Sequence, residues 1–113
     1  MIKYSENVKF EDLERALQRK LMLLDRILNI EIIATSGKRT AEHNAEVGDS
    51  RTSSHLKALA LDLLATDSRT RFDIIEAGII AGFSRFGLSI KKQDHVHIDC
   101  DPEKPQRVIW FEE

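Results

Sequence analysis

The sequence predicts an α+β fold, in which helices lie against one small, mainly antiparallel sheet. Two segments, residues 10–29 and about 67–81, have the recurrent apolar spacing of three and four that is typical of amphipathic helices. Short apolar and β-branched runs have the length and composition of strands. Tight turns separate the strands near the C-terminus, which favours antiparallel pairing. With 113 residues, the chain is expected to form a single domain, residues 1–113, with a modest core.

Composition excludes several classes of function. Hydrophobic residues make up 42% and charged residues 32% of the chain, which is ordinary for a soluble globular protein. A net charge of −2 gives no electrostatic support to a nucleic-acid role. No run reaches the roughly 18 apolar residues that span a membrane, and Lys3, Glu6 and Lys9 interrupt any signal-peptide core. We therefore expect a monomer with no nucleic-acid partner and no membrane segment.

The individual elements follow from local signals. Asp67 or Ser68 is suited to cap the second long helix, whose apolar stripe is expected at Phe72, Ile75, Ile79 and Ile80. Gly82 is suited to end that helix, and Gly87 suggests a bulge in the strand that follows. The predicted order is helix 10–29, strand 31–35, helix 40–47, loop 48–54, strand 59–65, helix 67–81, strand 83–90, strand 94–99 and strand 107–111.

The first polar cluster contains His55 and Asp62, seven residues apart. An extended strand would separate them by roughly 23 Å and a helix by about 10 Å. Ligands of one zinc ion lie only about 2.0–2.2 Å from the metal. If both residues bind one ion, the chain must turn back, with His55 on a loop and Asp62 inside a strand. The alternative is that Asp62 pairs with an arginine or lies outward on a helix.

The second polar cluster has the periodicity of a strand. His95, His97 and Asp99 share one face, while Val96 and Ile98 share the other. Neutral imidazole is the commonest metal ligand. Two histidines and one carboxylate leave a fourth zinc position open for water, which is the arrangement of catalytic zinc sites. The alternative is the solvated outer face of an edge strand.

These residues resemble a known family, the zinc D-Ala-D-Ala carboxypeptidases and L-alanyl-D-glutamate endopeptidases. The family includes vancomycin-resistance dipeptidases and phage endolysins, and it shares its fold with the Hedgehog signalling domain. Its first motif, S-x-H-x-x-G-x-A-x-D, is matched by Ser53, His55, Ala60 and Asp62. Ala58 stands where the family usually has glycine.

Further segments carry the same resemblance. The family's second motif, an acidic residue three positions before a histidine, is matched by Asp94 and His97. Thr35–Thr40 is similar to the family's S-G-x-R-T segment, and Gly82–Gly87 resembles the start of its next strand. The likeness covers residues 31–99, and it implies a Hedgehog/DD-peptidase-like fold.

The resemblance implies one Zn²⁺ ion bound by His55, Asp62 and His97, with Asp94 as the general base. In a straight strand Asp94 and His97 point to opposite faces, so Asp94 must lie at the start of the strand or on a bulge. His95 shares the face of His97 and is the rival to Asp94, as base, fourth ligand or oxyanion stabiliser.

Three further residues have expected roles at the site. By resemblance, Arg39 would hold a substrate carboxylate or carbonyl with its planar fork of donors; the alternative is a surface pair with Glu42 or Glu46. Ser53 is a candidate for binding the site backbone or a substrate group, or for capping the loop. Asp99 is expected to orient a ligand histidine, or else to form a surface pair.

The remaining distinctive residues are expected to stand outside the chemistry. His43 matches no ligand position and is expected to be exposed. Cys100 is the only cysteine, so no internal disulfide can form; we expect it to be partly buried beside the site, with a minor ligand role as the alternative. Trp110 is expected in the core or in the wall of a cleft.

The resemblance implies a metallopeptidase that cleaves peptidoglycan stem peptides of the bacterial cell wall, either as a D,D-carboxypeptidase or as an L-Ala-D-Glu endopeptidase. A chain without a signal-peptide pattern suits a cytoplasmic enzyme, or a phage-type enzyme released at lysis. Two other classes stay open. One is a metal-bearing binding domain without catalysis, as the Hedgehog fold illustrates, and the other is a metal-free structural domain, such as a phage-particle component.

Overall fold

The computed structural model of the protein describes residues 1–46 and 53–112. The strands are β1 (Ile2–Tyr4), β2 (Ile32–Ser36), β3 (Ala60–Leu64), β4 (Arg85–Ser89), β5 (His95–Asp99) and β6 (Val108–Glu112). The described helices are α1 (Arg15–Ile27), α2 (Ala41–Glu46) and α3 (Ser68–Ile80), preceded by a single 3₁₀ turn at Phe10–Asp12. The predicted loop 48–54 and the end of the predicted helix 40–47 fall largely outside the described residues.

The six strands form one sheet in the order β1-β2-β3-β5-β4-β6. The three central pairings, β2 with β3, β3 with β5 and β5 with β4, are antiparallel. The two outer strands pair in parallel, β1 with β2 and β6 with β4. The α+β class and the mainly antiparallel sheet are therefore confirmed. Parallel pairing of β6 is possible because residues 100–107 carry the chain from the end of β5 across the start of β4 to its far side.

Helices α1 and α3 contact each other and supply one side of the hydrophobic core. Leu17, Leu21 and Leu24 of α1 are buried with Val96 and Ile98 of β5. The apolar face of β5 therefore lies in the core, and the face that carries His95, His97 and Asp99 points away from it. This division places the polar cluster on the opposite side of the sheet.

Two details of the helices differ from expectation. The first predicted helix starts later, because the chain is extended at Leu13 and Glu14 and only α1 continues as α-helix. In α3 the buried residues are Ile74, Ala77 and Gly78, whereas Phe72 is 63% exposed. Apolar residues occur on both sides of α3, so spacing alone does not identify the buried side.

The ends of α3 follow the predicted capping residues. The Asp67 carboxylate accepts a hydrogen bond of 2.9 Å from the Thr70 backbone N–H. Gly82, with a φ of 99°, ends the helix, and the Gly78 carbonyl accepts from Phe83. At 13 residues each, α1 and α3 are short. No helix in the described part of the chain is long and apolar enough to cross a membrane.

The sheet has two features that the sequence did not predict. Strand β1 was missed; it extends the sheet by pairing Ile2 with Ile32. The bulge suggested at Gly87 is absent, because β4 pairs with β5 in continuous register through that residue. The irregularity lies instead between β2 and β3, where the register shifts between Ala34 and Ser36.

Candidate metal centre

Strand register and one turn bring His55, Asp62 and His97 together. Asp62 of β3 is paired directly with His97 of β5. His55 comes from the turn that precedes β3, where Ala58 adopts a φ of 59°. This left-handed conformation favours glycine, which explains why the family motif has glycine at this position. The loop position of His55 and the strand position of Asp62 are both confirmed.

The three side chains present their ligand atoms to a common point. The Oδ1 atom of Asp62 lies 3.3 Å from His55 Nε2 and 3.2 Å from His97 Nδ1. One atom from each side chain can be chosen such that all lie within 4.8 Å of one another. Atoms bound to one tetrahedral zinc at about 2.0–2.1 Å would lie roughly 3.3 Å apart. The spacing therefore suits a single ion.

The hydrogen bonding of the cluster also fits a cation. Asp62 Oδ1 is buried and makes no well-directed hydrogen bond, despite its two imidazole neighbours. Leaving a buried carboxylate oxygen in that state is costly unless a positive charge lies beside it. The far nitrogens of both rings are already engaged: His55 Nδ1 lies 2.7 Å from the Gly37 carbonyl, and His97 Nε2 lies 2.6 Å from Asp99 Oδ2. Two imidazole nitrogens and one carboxylate oxygen form a donor set that zinc prefers.

Electrostatic coupling holds the cluster in a charged state in the absence of an ion. Burial tends to raise the pKa of Asp62, but the neighbouring His55 and His97 imidazoles outweigh it and lower that pKa strongly. Burial likewise tends to lower the pKa of His97, but the Asp62 and Asp99 carboxylates raise it to about 9. In the absence of an ion, His97 is therefore protonated at neutral pH, and this proton occupies the place where a cation would bind.

Asp99 is held by an arginine that the sequence reading overlooked. Arg85 Nε donates a 2.6 Å hydrogen bond to Asp99 Oδ1, while Asp99 Oδ2 faces His97 Nε2. The Arg85 side chain is buried, and its guanidinium carbon lies 4.7 Å from the centre of the Trp110 ring. The surface-pair alternative for Asp99 is excluded, because Asp99 is only 1% exposed.

Asp94 and His95 are adjacent and interact. Asp94 directly precedes β5, which is the start-of-strand position required for it to reach the site. Its carboxylate lies 2.9 Å from His95 Nδ1, and His95 Nε2 lies 3.1 Å from Glu112 Oε1. The Glu112 hydrogen bond is the largest cause that raises the pKa of His95 to about 9. Glu112 was missed because only the pairing of β6 with β4 brings it here.

Arg39 and Ser53 both lie at the site. The Arg39 side chain is only 12% exposed, and its Nη2 lies 3.6 Å from Asp62 Oδ2 and 3.2 Å from Ser36 Oγ. The alternative of a surface arginine is wrong, because the Arg39 side chain is largely buried at the site. Ser53 Oγ accepts a 3.2 Å hydrogen bond from the His55 backbone N–H, so it supports the turn that presents His55.

The other distinctive residues lie outside the ligand set; His43 and Trp110 lie where they were expected, whereas Cys100, expected beside the site, does not. His43 is exposed on α2, 3.6 Å from Glu46. Cys100 is partly buried and packs against the hydrophobic core, so it faces away from the three ligand residues. Trp110 forms part of the cleft wall, with its ring centre 5.4 Å from that of His97.

The cluster opens into a cleft of about 670 Å³. Arg39, Asp94 and His95 line this cleft together with the three candidate ligands. Lys91 and Lys92, from the turn between β4 and β5, add positive charge to its wall. The cleft therefore combines a candidate metal position with carboxylate, imidazole and guanidinium groups, which is the composition of a hydrolytic site.

Comparison with known proteins relates the chain to a family and to a known fold. Residues 4–99 match the model of a family described as Peptidase M15. The chain belongs to this peptidase family. Its fold is similar to the crystal structure of the Serratia marcescens L-Ala D-Glu endopeptidase ChiX, with a TM-score of 0.63 and 20% identity over 81% of this chain and 83% of that one. A search of curated protein sequences gave no match.

Proposed function

We propose that the protein is a zinc-dependent peptidase that hydrolyses peptide bonds in the stem peptides of bacterial peptidoglycan. The observation that carries this proposal is the convergence of His55 Nε2, Asp62 Oδ1 and His97 Nδ1 in the wall of an open cleft. Membership of a peptidase family supports the reaction class. The fold likeness to an L-Ala D-Glu endopeptidase supports the substrate class. The scissile bond is either L-Ala-D-Glu, cleaved internally, or a terminal D-Ala-D-Ala bond.

His55, Asp62 and His97 would hold one ion where they line the cleft. When bound, zinc supplies an acidified water and polarises the substrate carbonyl. The Gly37 carbonyl and the Asp99 carboxylate keep the far nitrogens of His55 and His97 engaged. These contacts set which nitrogen of each ring is presented to the ion.

Asp94 is proposed as the general base. Its carboxylate takes the proton from the attacking water and passes it to the leaving amine as the C–N bond breaks. The position of Asp94 at the start of β5, on the cleft wall, supports this role. His95, hydrogen-bonded to Asp94 through Nδ1, is the rival for the same step. Replacing Asp94 by Ala should abolish hydrolysis and leave zinc bound; surviving activity would assign the proton transfer to His95 or another group.

Arg39 is proposed to anchor the substrate. Its guanidinium lies in the cleft wall beside Asp62, and a planar fork of donors suits a substrate carboxylate or carbonyl. Ser53 contributes by supporting the His55 turn through its hydrogen bond to the backbone. Arg39 is therefore available to orient a peptide before water attacks.

The test measures zinc content and peptide hydrolysis on the same preparations. We compare the wild type with His55→Ala and with His43→Ala, a matched control in which the exposed histidine of α2 is removed. Purified peptidoglycan fragments serve as substrate, and mass spectrometry of the products identifies the bond. The wild type and the His43→Ala control should bind about one zinc per chain and cleave, whereas His55→Ala should lose both properties.

Two other results would refute the proposal in different ways. Bound zinc without cleavage of any fragment would show a catalytically silent domain of the same fold. No zinc, even after reconstitution, would eliminate the site built on His55, Asp62 and His97.

A further inference from the structure

The last strand of the chain reaches the site across a glycine. Strand β4 separates β6 from β5, and its Gly87 is paired with His97 on one side and Trp110 on the other. A Cβ atom on Gly87 would lie 2.9 Å from both Glu112 Cδ and the Trp110 ring. The side chains of Trp110 and Glu112 therefore pass directly over Gly87, which leaves them the space to reach β5.

Glu112 uses this space to contact the two histidines of β5. Its Oε1 atom lies 3.1 Å from His95 Nε2, and its Oε2 atom lies 3.9 Å from His97 Nδ1. The other nitrogen of His95 lies 2.9 Å from Asp94 Oδ1. Both nitrogens of the His95 imidazole therefore contact carboxylates, one from Asp94 just before β5 and one from Glu112 at the end of β6.

Glu112 approaches the candidate ligands without joining them. Among the described residues, the set that could hold a metal ion consists of His55, Asp62 and His97. The better-directed contact of Glu112 is with His95, which lies outside that set. Glu112 is therefore placed to support His95 and not to act as a metal ligand.

We propose that Glu112 is a positioning residue, whose carboxylate holds the His95 imidazole so that Nδ1 stays directed at Asp94. This inference rests on the proposed peptidase function. Without the Glu112 contact, the ring of His95 is free to rotate, and the Asp94 carboxylate loses the donor that orients it towards the cleft. Glu112 lies beyond residues 4–99, the part of the chain that matches the family, so this support is supplied by the final strand.

The kinetic test compares Glu112→Ala and Glu112→Gln with a control variant, Glu76→Gln, which removes an exposed carboxylate on α3. On the cleaved peptide, Glu112→Ala should lower kcat by about 10- to 100-fold, with KM and zinc content retained. Glu112→Gln should restore most of the activity, because its amide oxygen can still accept from His95 Nε2. The control should behave like the wild type.

A second measurement does not depend on activity. In zinc-loaded protein, NMR of the histidine ring nitrogens should show a slowly exchanging proton on His95 Nε2. This proton should exchange rapidly with water in Glu112→Ala and stay protected in Glu112→Gln. If the wild type cleaves no peptide, the peptidase proposal fails, and the NMR comparison still decides whether Glu112 positions His95.

Three results would overturn the positioning role. One is wild-type kcat in Glu112→Ala. Another is an equal loss of activity in the Ala and Gln variants, which would show that the charge itself is required. The third is a rise in KM at unchanged kcat, which would make Glu112 a substrate-binding residue.

Discussion

Asp62 and His97 face each other across β3 and β5, with Asp62 Oδ1 3.2 Å from His97 Nδ1. The opposite nitrogen of His97 lies 2.6 Å from Asp99 Oδ2. The His97 ring is therefore held between two carboxylates, one directed at the cleft and one behind it. Binding of zinc would replace the proton on the cleft side, whereas the contact with Asp99 would remain.

The contact behind His97 predicts a change in metal affinity. Asp99→Asn should weaken zinc binding by about 10- to 100-fold, because a neutral amide makes the imidazole a poorer donor to the ion and orients it less firmly. Competition with a chelating dye measures the zinc dissociation constant. Asp12→Asn, at an exposed position in the 3₁₀ turn, is the control and should bind like the wild type. An unchanged dissociation constant in Asp99→Asn would contradict this role.

The space above Gly87 predicts a fluorescence change. Trp110 is the only tryptophan, so its emission reports on this site alone. Gly87→Ala should push the indole off His97 and Arg85, shift the emission to longer wavelength and lower the free energy of unfolding by about 1–3 kcal/mol.

The matched control for Gly87→Ala is Gly78→Ala. A Cβ atom on Gly78 would lie 2.7 Å from Phe86. This variant therefore also introduces a steric clash, but the clash lies in the core on the other side of the sheet. It should change stability without moving the emission of Trp110. The same emission shift in both variants would mean that the indole does not report contact over Gly87.

The conformation of Ala58 predicts a stabilising substitution. At a φ of 59°, Ala58→Gly removes the steric cost of a left-handed residue and should raise the free energy of unfolding by about 0.5–1 kcal/mol. Urea denaturation measures the difference. Ala16→Gly, in right-handed α1, should instead destabilise by about 0.5–1 kcal/mol. A loss of similar size in both variants would show that Ala58 is not strained.

The raised pKa of Tyr4 predicts a loss of stability at alkaline pH. Burial, together with the negative charge of Asp25, raises the pKa of the Tyr4 phenol from 10.0 to about 12. Between those pH values the unfolded chain loses the phenolic proton while the folded protein keeps it, so stability falls as pH rises. Tyr4→Phe should remove this part of the loss, and urea denaturation at a series of pH values measures it. Parallel pH profiles for the two proteins would refute the assignment.

Much of the site could be predicted because it depends on short-range geometry. If His55 and Asp62 share one ion, the distance that seven residues span requires a turn between them, and the structure contains that turn. Strand periodicity placed His95, His97 and Asp99 on one face, opposite the apolar side chains of the same strand. Both arguments use only neighbours along the chain, where backbone geometry leaves few choices.

The supporting residues could not be predicted in the same way. Arg85 reaches Asp99 because β4 pairs with β5, and Glu112 reaches His95 only because β6 pairs in parallel with β4. That pairing depends on the path of the chain after β5, for which local spacing carries no signal. The buried side of α3 has the same origin: its apolar residues occur all around the helix, and only docking against the sheet selects Ile74.

Local signals in the sequence determined the backbone at each candidate ligand, a turn for His55 and strands for Asp62 and His97, and the resemblance to a peptidase family supplied the ligand set. The tertiary structure decided which nitrogen of each ring faces the common point, and which side chains support it from behind. Local conformation follows from steric limits and from alternation along a strand, which are properties of neighbouring residues. The register between strands is a long-range choice, settled by how the whole sheet buries its apolar face.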